Sequence, residues 1–301
     1  MENYNHRGFI NARSNATYFI VNELVDDIYT KVFSAVKFST NNKKERYLEE
    51  GKYCVRYISK NLIKDLFFKY ETEDKIFKFY ENLRESYEEF SKIKHVNIQN
   101  LKDLLEDDEA IYIVSEFCDW TLKDYVQILR EPNRNNPSFP FEKKYRDIIV
   151  QILDTCYNMH EKFSQPLCGL INSTDIMVVE INDINSQNAV KVKLPHPFLT
   201  NLTTKIKILA KESFPNYYPP EVYNLFDKGE DGCAIESKKS LDSNILLQKL
   251  NQNFDMWALG CLVYEILFDD FPFKINDIDA GRNLTINTEF AINPYSITYI
   301  S

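Results

Sequence analysis

The chain has 301 residues, of which 44% are hydrophobic and 27% charged, and its net charge is −9 at pH 7. This length and composition indicate a globular protein with room for one large domain or two lobes. The acidic balance argues against nucleic acid or an anionic membrane surface as the main partner. No apolar run approaches the roughly 20 residues of a membrane span, and the polar N-terminus is not typical of a signal peptide. The six cysteines form no Cys-x-x-Cys pair, which indicates a reducing, cytoplasmic setting without a zinc site or a disulfide framework.

The first part of the chain predicts a small β-rich lobe over residues 18–117. Residues 1–17 are polar and rich in Asn, which predicts a flexible N-terminal arm. Aromatic and β-branched residues over 18–36, interrupted by Asp26 and Asp27, predict a hairpin. Similar runs predict strands over 53–58 and 111–114. Apolar positions at helical spacing predict a helix over 74–94.

The second part predicts a mostly helical lobe over residues 118–301. A short helix is predicted over 122–129, a loop over 132–140 and a short hairpin over 176–179 and 190–192. Residues 225–250 are polar and charged and are interpreted as an insertion. A longer helix is predicted over 145–160, with these residues on its apolar side: Ile148, Ile149, Ile152, Leu153 and Tyr157.

The stretch Phe254–Leu267 predicts a buried helix. Asp255 lies where a helix N-terminal acceptor belongs, and Gly260 would let another backbone come close. Pro272 ends the helix. The apolar residues that form one broad face are Leu259, Leu262, Val263, Ile266 and Leu267. Taken alone, this segment fits a core helix of many globular domains.

Two further motifs extend this pattern to a known family. Asp255-x-Trp257-x-x-Gly260, together with the upstream run Tyr218-Pro219-Pro220-Glu221, resembles the large-lobe helix and the Ala-Pro-Glu element of eukaryotic protein kinases. The runs 53–60, 94–98 and 111–118 favour the calcium/calmodulin-dependent branch. The resemblance covers residues 18–301 and implies an α+β, bilobal fold. It also implies a large lobe that stops where the last helices should begin, so that Glu221 lacks its late arginine partner.

Kinase catalysis needs a glycine-rich loop, a Lys–Glu pair, an Asp base and an Asp and an Asn that hold Mg²⁺. The lysine position falls on Arg56, which keeps the charge but not the compact ammonium group. Its glutamate partner falls on Ser86, with Glu85 and Glu88 nearby on what we interpret as a solvated face. The three glycine positions fall on Val25, Asp27 and Thr30, which is typical of an ordinary acidic turn.

The catalytic loop of the family aligns with residues 168–175. Leu170 stands at the base position and has no proton-accepting atom, and Asn172 replaces the lysine. Asp175 stands at the metal-binding Asn position and is a weak candidate for a cation, although an Asp there more often makes a local turn. Residues 193–198, where Asp-Phe-Gly is expected, contain neither Asp nor Gly. We interpret His196, between two prolines, as structural.

What the resemblance retains is a vestigial ATP site formed by Arg56, Ser115 at the gatekeeper position, and Glu116 and Cys118 in the hinge. The sequence therefore predicts a pseudokinase that needs no cofactor and binds a protein partner, such as an active kinase or its regulator. One alternative is a divergent serine/threonine kinase that uses ATP and Mg²⁺ with Arg56, Asp175 and either Asp27 or His196. Another is a module that binds a nucleotide without transferring phosphate.

Overall fold

The computed structural model describes residues 8–11, 16–26, 31–41, 44–67, 72–130, 141–163, 171–183, 186–199, 202, 215–219 and 252–273. The chain divides into two compact units. The sheet unit contains the described residues of 1–95 and 99–118, and the helical unit contains those of 96–98 and of the chain from 119 onward. Strands and helices occur together, which confirms the predicted α+β class.

The sheet unit contains an antiparallel seven-stranded sheet. The neighbour order is β1-β2-β3-β5-β7-β6, with β4 paired to β3. Its strands are β1 (Gly8–Asn11), β2 (Ala16–Asp26), β3 (Lys31–Thr40), β4 (Arg46–Leu48), β5 (Tyr53–Ser59), β6 (Leu101–Glu106) and β7 (Ala110–Glu116). Within the arm predicted over 1–17, the backbone of β1 pairs with β2. β1 also lies beside β6, so the sheet curls toward closure.

One face of this sheet forms an apolar core. Side chains alternate across a strand with a period of two, so residues from neighbouring strands meet on the same face. The hydroxyl of Tyr18, on β2, donates to the Asp103 carboxylate on β6. The members of the core that are at most 2% exposed are Tyr18, Ala35, Val55, Ala110, Tyr112 and Val114.

Two helices belong to the sheet unit. Helix α2 (Glu73–Phe90) corresponds to the helix predicted over 74–94, and Leu83 is its buried residue. Helix α1 (Lys60–Phe67) was not predicted. It follows β5 directly and buries Ile63 completely. With only eight residues, α1 depends on this packing rather than on its own propensity.

The helical unit contains a small antiparallel sheet and the longest of the described helices. The sheet has the order β10-β9-β8. The elements are β8 (Trp120–Thr121), α3 (Leu122–Arg130), α4 (Phe141–Phe163), β9 (Met177–Asp183), β10 (Ser186–Lys193), α5 (Pro197–Leu199), a 3₁₀ turn (Pro215–Tyr217) and α6 (Gln252–Phe268). Among the described residues, none of the helices combines the length and the apolar character that a bilayer crossing requires.

Helix α4 packs against α6 and differs from its prediction on one face. Ile148 and Ile152 are buried as predicted. Leu153 and Tyr157, which were also predicted on the apolar side, are 43% and 63% exposed. The core instead takes Cys156 and Met159, because these follow Ile152 at the helical spacing of the same face.

Helix α6 corrects three details of the sequence interpretation. It begins at Gln252, so Asp255 lies inside the first turn rather than before the helix. Among the described residues, no atom outside the helix comes within 4 Å of the place where a Cβ of Gly260 would stand, so no backbone of that part of the chain approaches this exposed glycine. Leu267, expected in the apolar face, is 40% exposed, whereas Leu262 and Ile266 are buried.

Arg130, the last residue of α3, caps the C-terminal end of α6. Its Nη2 donates to the carbonyl oxygens of Glu265 at 3.0 Å and Ile266 at 2.8 Å. Its Nη1 pairs with Asp269, which adopts the left-handed φ of 59° that ends many helices. The guanidinium thus satisfies carbonyls that the helix cannot pair itself.

Candidate active site of a kinase-like domain

Arg56 lies on β5, where Val32 of β3 and Ile113 of β7 are its backbone neighbours. The side chain is half-buried. Cys54, two residues earlier on the same face, hydrogen-bonds with Ser115. Burial raises the pKa of the Cys54 thiol, although Arg56 and Ser115 oppose this. Within the described residues, no carboxylate forms an ion pair with Arg56.

The position of the glutamate partner, Ser86, and the neighbouring Glu85 and Glu88 lie on α2. Ser86 is half-buried, and Glu85 and Glu88 are exposed, as a solvated helix face would be. Helix α2 forms an ion pair through Arg84 instead. Arg84 donates from Nε at 3.0 Å and from Nη2 at 2.7 Å to Glu106 on β6.

Glu106 also accepts from Lys60, whose Nζ lies 2.7 Å from Oε1. The same ammonium group stands 5.1 Å from the centre of the Tyr80 ring. Burial alone would raise the pKa of Glu106, but Lys60 and Arg84 outweigh it and hold that pKa below its ordinary value. The acid that holds α1, α2 and β6 together is therefore Glu106, which no local pattern in the chain singles out.

The residues at the predicted gatekeeper and hinge positions make their contacts within the sheet unit. Ser115 is 5% exposed and Cys118 is 4% exposed. The Glu116 side chain accepts from the backbone N–H of Asn100 at 2.8 Å. The backbone carbonyl oxygen of Glu116 accepts from Nε2 of Gln99 at 3.3 Å. These contacts fix the direction in which the chain leaves β7.

The loop at 171–176 is organised by Asn172, which is 1% exposed. Its Oδ1 accepts from the backbone N–H groups of Thr174 at 3.0 Å and Asp175 at 2.8 Å. Its Nδ2 donates to Oδ2 of Asp175 at 2.8 Å. The Asp175 carboxylate thus takes part in a local turn of the kind that Asp and Asn side chains commonly form.

The same loop is fastened to α6 through a cluster of three buried or half-buried polar side chains, the anchor cluster Ser173, Tyr217 and Glu265. The Tyr217 hydroxyl accepts from the backbone N–H of Ser173 at 3.2 Å and donates to Oε2 of Glu265. Oγ of Ser173 donates to Oε1 of Glu265 at 2.9 Å. Burial and the Glu265 carboxylate raise the pKa of Tyr217 well above its ordinary value, so the hydroxyl remains a donor.

A second polar contact joins α4 to α6. Oδ2 of Asp255 lies 2.8 Å from Nε2 of His160, and the Asp255 side chain is fully buried. Trp257, the next motif residue, stacks on Phe273 with ring centres 5.3 Å apart. The sequence placed Asp255 in a motif, and the structure shows that its partner is a histidine 95 residues earlier.

The segment after β10 is set in place by Asn97. Nδ2 of Asn97 donates to the Val192 carbonyl and to Oε1 of Gln151, both at 2.8 Å. The Leu194 N–H donates to the Asn97 carbonyl at 2.8 Å, and Ile98 and Leu194 form a parallel bridge. Leu194 is fully buried.

Two prolines and a buried histidine follow Leu194. His196 is fully buried, and its Nδ1 accepts from the Phe198 backbone N–H at 3.2 Å. Pro195 and Pro197 are buried beside it. The bond from Phe198 fixes Nδ1 as an acceptor.

Some predicted residues lie outside the described part of the chain. They are Asp27, Thr30, Leu170, Pro220 and Glu221, the insertion over 225–250, and the loop over 132–140. Of the same motif, Tyr218 and Pro219 are described and buried. Among the described residues, no group of three or more His, Cys, Asp or Glu side chains could hold a metal ion. Described cysteines 54, 118, 156 and 261 are free thiols.

A solved structure of Rad53 (residues 1–466, with AMP-PNP bound) superimposes on 88% of this chain with a TM-score of 0.50 and 22% sequence identity, and 52% of that chain is covered. The fold is that of a protein kinase. No protein-family profile matches the sequence.

Sequence relatives agree with this kinase-like fold. The chain is similar to the probable serine/threonine-protein kinase FMP48 of Saccharomyces cerevisiae, with 23% identity over 68% of this chain and 52% of the relative. It is also similar to the probable serine/threonine-protein kinase mps1 of Dictyostelium discoideum, with 26% identity over 67% of this chain and 18% of the relative. The serine/threonine-protein kinase RAD53 of Saccharomyces cerevisiae is 27% identical over 62% of this chain and 20% of the relative. The chain therefore spans about half of the first relative and about a fifth of the others.

Proposed function

We propose that this kinase-like domain does not transfer phosphate and acts by binding a protein partner, as a scaffold or an allosteric regulator. The observation that carries this proposal is the segment after β10. A kinase holds Mg²⁺ there with an aspartate. Residues 193–198 of this chain contain no Asp, and Leu194 within them is fully buried and tied through its backbone to Asn97.

The loop at 171–176 supports the same proposal. One carboxylate oxygen of its candidate metal ligand, Asp175, already accepts a hydrogen bond from Asn172. Leu170, at the position of the base, has no atom that accepts a proton. Because base and metal ligands each stabilise the transition state by several kcal/mol (about 3 each), losing both leaves little catalysis.

One observation favours a second candidate, a module that binds nucleotide without metal. Arg56 is half-buried and has no ion-pair partner among the described carboxylates, so its charge is available for a phosphate. The small Ser115 stands on the same face of the sheet. Rad53 was solved with AMP-PNP, which shows that a related fold accommodates such a ligand.

Thermal melting of the chain with and without ATP, each with and without Mg²⁺, tests both candidates. A ligand at 100 times its dissociation constant adds about 2.7 kcal/mol, which shifts the melting temperature by a few degrees. The scaffold proposal expects no shift under any condition. A shift without Mg²⁺ that disappears in Arg56→Ala would replace it with the nucleotide-binding candidate.

An active kinase, known to bind MgATP, serves as the positive control in the same assay. A shift that requires Mg²⁺ and disappears in Asp175→Ala would contradict the proposal. Such a result would support a divergent serine/threonine kinase, and phosphate transfer to a generic protein substrate would then be measured directly.

A further inference from the structure

Helix α4 carries a second apolar stripe that the core does not use. Val150, Leu153 and Tyr157 are 53%, 43% and 63% exposed. Their spacing of three and four residues places them on one side of the helix. The buried residues Ile148 and Ile152 lie on the opposite side. Single exposed apolar residues are common, but three neighbours on one rigid helix form a continuous patch.

A positively charged residue stands at one end of this stripe and a negatively charged residue at the other. Arg146 precedes Val150 by one turn, and Glu161 follows Tyr157 by one turn, and both are exposed. We call the five residues Arg146, Val150, Leu153, Tyr157 and Glu161 the outer stripe of α4. It spans about 22 Å along the helix at 1.5 Å per residue.

The residues of the outer stripe are spaced nearly symmetrically about its middle. Leu153 stands near its middle, an apolar residue flanks it on each side, and opposite charges stand at the two ends. When two such helices pack antiparallel about a two-fold axis that passes between positions 153 and 154, Arg146 of each copy faces Glu161 of the other. Val150 of each copy then faces Tyr157 of the other.

We propose that two copies of this chain form a symmetric dimer through the outer stripe of α4. A two-fold interface must be complementary to itself, and a stripe with opposite charges at equal distances from its centre meets this requirement. The short stripe and its exposed ion pairs favour a weak dimer, with a dissociation constant in the micromolar range (about 1–100 µM). This interface is independent of whether the domain binds nucleotide.

Sedimentation equilibrium of the full chain, from about 1 to about 200 µM, measures this dissociation constant directly. We expect the average mass to rise toward that of a dimer. Leu153→Glu places a carboxylate of each copy beside the two-fold axis, so we expect this variant to remain a monomer. Because Leu153 is 43% exposed, the melting temperature of the monomer should be unchanged.

Charge exchange tests the antiparallel arrangement itself. Arg146→Glu and Glu161→Arg should each weaken the dimer about 10-fold, because each change makes both ion pairs of the dimer repulsive. The double variant Arg146→Glu/Glu161→Arg restores both pairs and should recover the original dissociation constant. The matched control is Lys162→Glu, which changes an exposed charge about 100° around the helix from Glu161 and should change nothing.

Three results would each overturn the proposal. The first is a chain that stays monomeric to about 200 µM. The second is a dimer that persists in Leu153→Glu. The third is a double variant that associates no better than the two single ones, which would show that the two charges do not meet.

Discussion

The loop over 171–176 and the segment after β10 belong to the same helical unit but differ in what their buried side chains do. Two hydrogen bonds join the loop to Glu265 on α6, one from Ser173 and one from Tyr217. The segment after β10 buries Leu194 and is held by backbone contacts to Asn97. Polar side chains hold the first region, whereas residues 193–198 contain no Asp, the residue type with which a kinase holds its metal. The bonds that tie the loop to α6 therefore come from residues other than the candidate metal ligand Asp175.

We expect the largest loss of stability from removing the buried contact between Asp255 and His160. Asp255→Ala leaves His160 without its partner in a site where the Asp255 side chain is fully buried. We expect a loss of about 3 kcal/mol in the free energy of unfolding, measured by urea denaturation. The matched change in the candidate metal position, Asp175→Ala, should cost about 1 kcal/mol, because Asp175 is only half-buried. Equal losses of stability in Asp255→Ala and Asp175→Ala would contradict the expectation that the buried contact of Asp255 contributes more.

A smaller effect is expected within the anchor cluster. Ser173→Ala and Tyr217→Phe should each cost about 1 to 2 kcal/mol, because each removes a hydrogen bond of a buried side chain. Since both hydroxyls bond to the Glu265 carboxylate, the double variant should deviate from additivity by at least about 0.5 kcal/mol.

Tyr264→Phe is the control for this cycle. Tyr264 precedes Glu265 on the same helix, and its hydroxyl makes no hydrogen bond to the described part of the chain. Its removal should change the free energy of unfolding by less than about 0.5 kcal/mol. Strict additivity of Ser173→Ala and Tyr217→Phe would mean that the two residues act separately rather than as one anchor.

The smallest effect concerns the sheet unit and depends on pH. Because the pKa of Glu106 is lowered in the folded state, its contribution to stability is present above the ordinary pKa of about 4.5 and is lost as the pH falls through the lowered value. Glu106→Gln should therefore reduce the free energy of unfolding at pH 7 by about 1 kcal/mol or less, since the side chain is partly exposed. The difference from the unsubstituted chain should shrink as the pH falls below 4.5 and vanish once the pH lies below the lowered pKa of Glu106.

Denaturation at several pH values measures this, with Glu85→Gln as the control. Glu85 is exposed on α2 and has no ion pair among the described residues, so its substitution should leave the pH profile unchanged. A Glu106→Gln profile parallel to that of the unsubstituted chain at all pH values would show that Lys60 and Arg84 do not hold the carboxylate.

Much of the framework could be predicted from local patterns. The strand predicted over 53–58 is β5 (Tyr53–Ser59), and the strand predicted over 111–114 lies inside β7 (Ala110–Glu116). The helix predicted over 122–129 is α3. These elements are set by periodicity and by side-chain type, which act between near neighbours in the chain.

The misses have a common physical reason. Helix α4 carries two apolar stripes, and periodicity alone cannot decide which of them faces the core. Packing against α6 selected the stripe of Ile152 and Met159 and left Leu153 exposed. Helix α1 was missed because eight residues give a weak periodic signal and depend on burial of Ile63.

The resemblance to kinases already implied which residue types stand at several kinase positions. Arg56, Asn172 and Asp175 were assigned in this way, and the absence of Asp and Gly from 193–198 is visible in the sequence. The long-range partners of Glu106 and Asp255 could be found only in the three-dimensional structure. Glu106 forms ion pairs with Arg84 and Lys60, and Asp255 forms a hydrogen bond with His160, across separations of 22 to 95 residues. Such contacts follow from packing between distant segments, which leaves no local pattern in the chain.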